Sequence, residues 1–218
     1  MTATVGKVQK DGSILSKSIR MSKRRVTNSK SLDTYAQDRQ KSMNDRPKKV
    51  GVLMLDTQFP RLFGDIGNPE GFPFPIIYKT VEGASPDLVV KEQSSDLLIP
   101  FIDAARSLID GGAEIITTSC GFLFMFQEEI QKAVSVPVYT SSLMLLSELE
   151  LRFGPGNIGI LTISRTSMNP NFAAKANIRS GVPIGTTENG FEFTQAILEN
   201  RNFLDIEKCR EDNVNAAL

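Results

Sequence analysis

Short apolar runs of strand length alternate with longer segments of helical spacing from residue 50 onward. The first run, Val50–Leu55, is apolar apart from one glycine, which is typical of a strand buried on both faces of a parallel sheet. Strands that alternate with helices build right-handed βαβ units around parallel sheets. We therefore predict an α/β fold from residue 49 onward.

The alternation runs twice, which predicts two similar lobes at 49–153 and 154–218. In the first lobe we expect strands at 50–55, 76–81, 114–118 and 136–139, with helices at about 95–110, 121–134 and 142–153. In the second we expect strands at 157–163 and 182–186, with helices at about 168–180, 191–200 and 204–217. Two strands make a short, open-edged sheet, so we expect a complete first lobe, an incomplete second lobe and a chain truncated relative to its fold.

Residues 1–48 differ in composition from the rest of the chain. The first 49 residues carry 13 Lys/Arg and 4 Asp/Glu, whereas the remainder carries 12 and 21. The segment is rich in serine and threonine and has no sustained apolar period, so we expect a basic, disordered extension. Nucleic-acid binding and organelle targeting remain open alternatives for such a segment.

The chain has no histidine. Ser-His-Asp triads, Cys-His nucleophile pairs and histidine-ligated metal sites are therefore excluded. Any proton transfer must use a carboxylate, lysine, tyrosine or thiol. We expect no metal and no other cofactor.

The two cysteines, Cys120 and Cys209, are too few for a disulfide scaffold or a four-cysteine zinc site. We therefore expect free thiols and a cytoplasmic location. The densest apolar run, Phe122–Phe126, is far shorter than the roughly 18–20 residues that a membrane span needs, so we expect no membrane association. Cys209 falls on the apolar stripe of the last predicted helix, which favours a packing role.

Cys120 lies where the third predicted strand becomes a helix. Ligands of open α/β sheets bind outside the carboxyl ends of the strands, and backbone N–H groups at a helix start lower a thiol pKa. Thr118 and Ser119 add hydroxyl donors, and Gly121 permits close approach by a ligand carboxylate. The alternative is that Cys120 is one more small buried apolar residue.

Further polar residues follow the first strand of each lobe. Asp56 and Thr57 end the first strand and should face the same cleft, although both residue types also cap turns. Thr162 and Ser164 end the first strand of the second lobe. Arg165 beside them could pair with a substrate carboxylate, but a solvated loop charge is the favoured interpretation.

A glycine spacing at 154–159 matches the dinucleotide fingerprint G-x-G-x-x-G. In that fingerprint the glycines follow a strand and open a helix. Here they follow a predicted helix and lead into a strand, so they indicate a cap and a turn rather than a nucleotide site.

From residue 49 to 218 the chain resembles the cofactor-independent aspartate/glutamate/hydantoin racemase superfamily. The most specific matches are Gly51–Leu53 leading to Asp56-Thr57, and Thr117–Phe122 around Cys120. The resemblance implies two α/β lobes with the site between them, and one cysteine from each lobe exchanging the substrate α-proton. It implies that Cys120 is the first-lobe acid–base and that Asp56, Thr57 and Thr162 lie near the substrate. Together with Thr118, Ser119 and Gly121 around Cys120, these residues form the predicted substrate site.

The sequence differs from the pattern of this superfamily in two places. Glutamate racemases commonly follow the first cysteine with Asn-Thr, whereas Gly121-Phe122 follow it here, which suggests a bulkier or less polar ligand. The second-lobe cysteine should follow one further strand, beyond Leu218. Cys209 precedes that position, so the second acid–base role is not assigned to it.

Three hypotheses follow for function. The first is a racemase or isomerase that exchanges the α-proton of a small carboxylate, such as an amino acid or hydantoin, through Cys120, impaired here because the second cysteine is missing. The second is a non-catalytic remnant or small-ligand-binding protein on the same fold. The third, a thiol redox sensor, lacks a C-x-x-C motif or a nearby resolving cysteine. Nucleic acid is a disfavoured partner, and homo-oligomers are plausible because the open second lobe needs cover.

Overall fold

The structure is a computed structural model that describes residues 4–8, 14–15 and 47–218. These residues form two four-stranded sheets with helices packed against them. The predicted α/β fold is confirmed. Among the described residues, no helix is both long enough and apolar enough to span a membrane.

The first sheet contains the four strands predicted for the first lobe. They are β3 (Val50–Leu55), β4 (Ile76–Val81), β5 (Ile115–Thr118) and β6 (Val138–Tyr139). Their order is β4-β3-β5-β6 and every neighbouring pair is parallel. The central strand β3 is buried from Gly51 to Leu55, as the unbroken apolar run predicts for a strand covered on both faces.

The helices of the first lobe are α1 (Leu98–Asp110), α2 (Gln127–Ala133) and α3 (Leu146–Phe153). A 3₁₀ turn precedes each of them, at Ser95–Leu97, Gly121–Phe126 and Ser142–Leu145. The predicted helices therefore begin as 3₁₀ structure. Two short turns in this lobe were not predicted, a 3₁₀ turn at Pro69–Gly71 and a single π turn at Leu88–Glu92.

Close packing of α1 on β3 depends on Gly51. A Cβ atom at this position would lie 2.9 Å from the Cβ of Ala113 and 3.1 Å from the Cβ of Leu108. The absence of a side chain lets α1 approach the sheet and bury Phe101, Ala105 and Leu108, a contact that a larger residue would force apart.

The second sheet contains strands from both ends of the sequence. The predicted pair β7 (Ile158–Thr162) and β8 (Ile184–Thr186) is parallel. The other edge of β7 pairs antiparallel with β1 (Thr4–Val8), which in turn pairs antiparallel with β2 (Ile14–Leu15). The sheet order is β2-β1-β7-β8.

The two N-terminal strands differ from the prediction of a disordered extension over residues 1–48. Residues 4–8 and 14–15 are strands, and the rest of residues 1–46 lies outside the described residues. We predicted disorder from the basic composition of the whole segment. Residues 4–8, with the sequence Thr4-Val5-Gly6-Lys7-Val8, nevertheless contain β-branched residues, which favour a strand. Its partner β7 is about 150 residues away, and such a pairing leaves no local signal.

The helices of the second lobe are α4 (Pro170–Lys175), α5 (Phe193–Leu198) and α6 (Ile206–Ala217). Helix α4 is shorter than predicted. It begins after Asn169, whose side chain accepts a hydrogen bond from the backbone N–H of Phe172, and Pro170 occupies its first turn. Asn177, with a φ of 52°, stands just beyond its end.

The lobes are joined by one aromatic cluster and by side-chain hydrogen bonds. Phe172 of α4 is buried, and its ring centroid lies 5.1 Å from that of Phe122 and 6.3 Å from that of Phe124. Lys175, at the end of α4, donates a hydrogen bond to the carbonyl of Met125 and lies 3.4 Å from a carboxylate oxygen of Glu129. The second lobe therefore packs directly on the 3₁₀ turn that follows Cys120.

Candidate active site

Cys120 directly follows β5, at the carboxyl end of the first sheet. The neighbouring residue Ser119 fixes this position against β3. Its backbone N–H donates to the carbonyl of Leu53 at 3.0 Å, and its Oγ accepts from the N–H of Leu55 at 3.1 Å. The end of β3 and the turn that carries Cys120 are thus held side by side, as expected for adjacent parallel strands.

The hydroxyl of Thr118 also forms hydrogen bonds with backbone groups. Its Oγ1 lies 2.7 Å from the carbonyl oxygen of Thr140 and 2.9 Å from that of Cys120, and it accepts from the N–H of Cys120 at 3.3 Å. Thr118 and Ser119 are both buried. In this structure the two hydroxyls form hydrogen bonds within and beside the turn; that they contact a ligand stays a prediction.

The thiol of Cys120 is fully buried, and burial raises its pKa. The backbone N–H groups of Phe122 and Leu123 and the positive charge of Arg61 act in the opposite direction but do not outweigh burial. The prediction of a lowered pKa at a helix start is therefore wrong. The N–H groups are present as predicted, but the site is closed to water, and desolvation disfavours a thiolate more than these groups stabilise it.

Among the described residues, Arg61 has a charge that lowers the pKa of the Cys120 thiol, by less than the two backbone N–H groups do. The sequence analysis did not identify it. Its side chain is 14% exposed. One guanidinium nitrogen donates to Oγ1 of Thr57 at 2.7 Å, another lies 3.1 Å from Oδ1 of Asp65, and the group sits 4.3 Å from the ring centroid of Phe59. An arginine in the loop directly after a strand-end Asp-Thr pair is the signal that could have identified it.

Of the predicted pair Asp56 and Thr57, Thr57 faces Arg61 and Asp56 faces a turn. The Asp56 carboxylate accepts from the N–H of Gly83 at 3.0 Å, after β4, and the residue is exposed. Its carbonyl accepts from the side-chain amide of Asn200 at 3.2 Å, and the same amide accepts from the N–H of Gln58 at 2.7 Å. Asp56 thus caps a turn, and Asn200 fastens the second lobe to the loop after β3.

Thr162 is buried at the end of β7, where its Oγ1 lies 3.4 Å from the carbonyl oxygen of Ser164. Its hydroxyl therefore bonds within the second lobe, apart from the Thr57–Arg61 pair. Arg165 is exposed, in agreement with the solvated-charge interpretation. The sequence analysis missed Glu188, whose carboxylate accepts hydrogen bonds from Ser164 Oγ at 2.9 Å and from the N–H of Arg165 at 3.1 Å.

Cys209 lies in α6 and is buried in the core. Burial, with smaller contributions from the charges of Glu192, Asp212 and Asp205, raises its pKa to about 11. Its place in the hydrophobic core confirms the predicted packing role. Among the described residues, no group of three or more His, Cys, Asp or Glu side chains could hold a metal ion.

Comparison with known proteins found similarity to dimethylsulfoniopropionate lyases, and no protein-family model matches the chain. The chain is 35% identical over 133 residues to a dimethylsulfoniopropionate lyase of Durusdinium sp. clade D, covering 60% of this chain and 44% of that protein. It is 32% identical over 128 residues to dimethylsulfoniopropionate lyase 6 of Emiliania huxleyi (strain CCMP1516), covering 58% and 33%. The chain thus spans less than half the length of these two relatives.

Two solved structures are also similar, at 17% sequence identity each. Unliganded arylmalonate decarboxylase matches with a TM-score of 0.41 over 64% of this chain and 60% of the other. An aspartate racemase homologue from Pyrococcus horikoshii OT3 matches with a TM-score of 0.42 over 77% of this chain and 69% of the other.

Proposed function

We propose that the chain removes the α-proton of a small carboxylate with Cys120 as the base, and that its substrate is a sulfonium carboxylate of the dimethylsulfoniopropionate type. The similarity to dimethylsulfoniopropionate lyases carries the choice of substrate. The position of Cys120 at the carboxyl end of β5, beside the end of β3, supports the choice of base. Amino-acid racemisation, the first hypothesis from the sequence, also begins with removal of the α-proton.

The reaction needs one base and no external co-reactant. The thiolate takes a proton from the carbon next to the carboxylate, the electrons of that C–H bond form a C=C bond to the β-carbon, and the C–S bond breaks with its electrons moving to sulfur. The products are neutral dimethyl sulfide, acrylate and a protonated thiol, which then loses its proton to water. A cationic sulfur centre is a good leaving group because it departs as a neutral molecule.

Elimination fits the described residues better than racemisation does. Racemisation needs a second acid–base group on the opposite face of the substrate, whereas elimination leaves no carbon to be reprotonated. Cys209 is not placed for that role, because it lies within α6 and packs in the core rather than at the carboxyl end of a strand. A single thiol at the edge of the sheet is sufficient for elimination.

Arg61 gives this proposal an electrostatic partner for the substrate and for the base. Its guanidinium is held by Thr57 and Asp65, and its charge lowers the pKa of Cys120 against the larger effect of burial. We infer that a substrate carboxylate competes with Asp65 for Arg61, since guanidinium groups bind carboxylates in a bidentate manner. Because the thiol is fully buried, the turn over it must open when substrate binds.

The proposal is tested by measuring release of dimethyl sulfide into the headspace above the purified chain supplied with dimethylsulfoniopropionate. We expect release by the wild type and by Cys209→Ser, and a loss of at least about 100-fold in Cys120→Ser, since a hydroxyl is a far weaker base than a thiolate at the same pH. Thermal melting of all three proteins checks that they are folded. Equal release by wild type and Cys120→Ser would refute the role of Cys120, and no release by folded wild type would refute the substrate.

A further inference from the structure

A cavity of about 430 Å³ lies between the lobes, at the carboxyl end of β7. Lys91, from the π turn of the first lobe, forms one wall, and second-lobe residues that include Ser164, Glu188, Thr194 and Leu198 form the others. Cys120 and Arg61 are not among the residues that line it. Its volume falls in the range of small-molecule sites, and the proposed reaction makes no use of it.

The negative pole of this cavity is the carboxylate of Glu188, which is held in a fixed position. Oε1 accepts from Ser164 Oγ at 2.9 Å, and Oε2 accepts from the N–H groups of Arg165 at 3.1 Å and Thr166 at 3.3 Å. Burial alone would raise the pKa of Glu188, but the hydrogen bonds from Ser164, Thr166 and Arg165 outweigh it and lower the pKa. The carboxylate is therefore ionised at neutral pH.

The positive pole is Lys91, which lies on the opposite lobe. Its ammonium group is 2.6 Å from Oδ1 of Asp87, and both side chains are about half exposed. A surface ion pair of this kind contributes little stability, so the lysine can turn toward a ligand at small cost.

Gln93 joins the two walls of the cavity. It follows the π turn with a φ of 49°, its Nε2 donates to the carbonyl of Ser167 at 2.6 Å, and its Oε1 accepts from the side-chain amide of Asn169 at 3.2 Å. Single π turns are frequent at functional sites. The hydrogen bonds of Gln93 across the lobes hold the turn that carries Lys91 against the loop of residues 164–169.

We propose that this cavity binds a small zwitterion, with the cationic onium or ammonium centre at Glu188 and the carboxylate at Lys91. A simple cation would satisfy one pole and a simple anion the other, whereas a zwitterion satisfies both. The hydroxyls of Ser164 and Thr194 are already engaged by Glu188 and by the carbonyl of Ile163. A second carboxylate of the lining, Glu199, is paired with Arg201 at 2.7 Å. Recognition therefore depends on the charges of Glu188 and Lys91 and on the apolar wall of Leu198.

The site goes beyond the proposed reaction, so the experiment uses a ligand that cannot undergo it. Glycine betaine has a quaternary ammonium and a carboxylate but no β-carbon, and it therefore cannot be eliminated. We expect isothermal titration calorimetry to show that the full chain binds glycine betaine at least about fivefold more tightly than tetramethylammonium or acetate. Equal affinities for the three compounds, or no binding of glycine betaine, would overturn the proposal.

Variants locate the binding at this cavity. We expect Lys91→Ala to weaken glycine betaine binding by about fivefold or more. The matched control is Lys132→Ala, another exposed lysine paired with an acid one helical turn away, which should bind as the wild type does. Leu198→Trp should abolish binding by filling the cavity, and Cys120→Ser should bind unchanged.

The same variants distinguish the failure of this site from the failure of the proposed reaction. Equal effects of Lys91→Ala and Lys132→Ala, or loss of binding in Cys120→Ser, would overturn the cavity assignment whether or not dimethyl sulfide is released. Glu188 is left intact in these variants because it holds the loop at Ser164–Thr166.

Discussion

At the scale of single residues, the proposed base is hard to ionise, and a nearby cation favours its ionised form. Cys120 is fully buried, and burial raises its pKa despite two backbone N–H groups and Arg61. In the proposed reaction the thiolate, not the thiol, acts as the base. Because the pKa is raised, the thiolate fraction is small at neutral pH and grows as pH increases.

Arg61→Met tests whether the charge of Arg61 favours the thiolate of Cys120, because methionine keeps an apolar stem but removes the charge. Dimethyl sulfide release by the wild type should rise about tenfold per pH unit from neutral into the alkaline range. In Arg61→Met the whole profile should shift to higher pH, because one of the groups that lower the thiol pKa is gone. Pseudo-first-order rates measured from pH 6.5 to 10 would show this shift.

The control for this prediction is Arg106→Met, which removes an exposed arginine of α1 paired with Asp103. Its pH profile should match that of the wild type. A wild-type rate that is flat with pH, or equal profiles for the two variants, would contradict the electrostatic role assigned to Arg61.

Sequence reasoning placed Cys120 correctly at the end of a strand, because neighbouring residues within 115–133 specify the strand, the turn and the following helix. Its role as a base stays a prediction. It could not give the direction of the pKa shift, because this depends on how completely distant residues close over the thiol. Arg61 and Glu188 were missed for a similar reason. Each lies in a loop, where no hydrophobic pattern marks it, and the groups that it contacts come close to it only when the chain folds.

At the scale of elements, one carboxylate organises the end of the second lobe. Asp212 of α6 is buried, and its oxygens accept from the N–H groups of Phe191, Glu192 and Phe193, each at 2.8 Å. A Cβ atom on Gly190 would lie 2.4 Å from Cγ of Asp212. The carboxylate therefore caps α5 from a neighbouring helix, and the glycine leaves room for it.

We predict that Asp212→Asn lowers the free energy of unfolding by about 1–2 kcal/mol, the usual cost of losing a helix cap. Burial alone would raise the pKa of Asp212, but the three backbone N–H groups outweigh it and lower the pKa. A lowered carboxyl pKa adds stability above the unfolded-state pKa, and this stability is lost as pH falls through the folded-state pKa.

Urea unfolding at pH 7 and at pH 3 measures both effects. The difference between wild type and Asp212→Asn should shrink at the lower pH. Glu211→Gln, the exposed neighbour on the same helix, should unfold as the wild type does at neutral pH. A difference that stays constant with pH would contradict the role of the ionised carboxylate.

The elements also show where pattern reasoning succeeds and where it fails. The strands β3, β4, β5, β6, β7 and β8 were predicted because each falls in a short segment rich in aliphatic, β-branched or aromatic residues between turn signals. β1 was missed, because a lone five-residue strand in a basic segment is stabilised by its distant partner β7.

At the scale of the whole molecule, the two sheets share a pair of parallel strands, β3 with β4 and β7 with β8. They differ in the strand on the other side of β3 and β7. In the first sheet, β3 is flanked by β4 and β5, both parallel to it. In the second, β7 is flanked by the parallel β8 and the antiparallel β1. The position that carries Cys120 in the first lobe is therefore filled by an N-terminal strand in the second.

The lobes should unfold together because Phe172 joins them. We expect Phe172→Ala to lower the free energy of unfolding by about 3–4 kcal/mol, the cost of a large buried cavity, and to separate the melting of the lobes. Phe191→Ala is the matched control, since Phe191 is 80% exposed, and it should change stability by less than about 0.5 kcal/mol. Differential scanning calorimetry that shows equal effects for the two variants would contradict this account.

The central claim, that Cys120 breaks the α C–H bond of a small carboxylate, is tested most directly by proton NMR of dimethylsulfoniopropionate in heavy water. With wild-type protein we predict that the substrate signals give way to acrylate and dimethyl sulfide, and that substrate deuterated at the α-carbon reacts about two- to sevenfold more slowly, as C–H cleavage in a rate-limiting step requires. Cys120→Ser should leave the substrate unchanged over the same time. Equal turnover by folded Cys120→Ser would contradict the account.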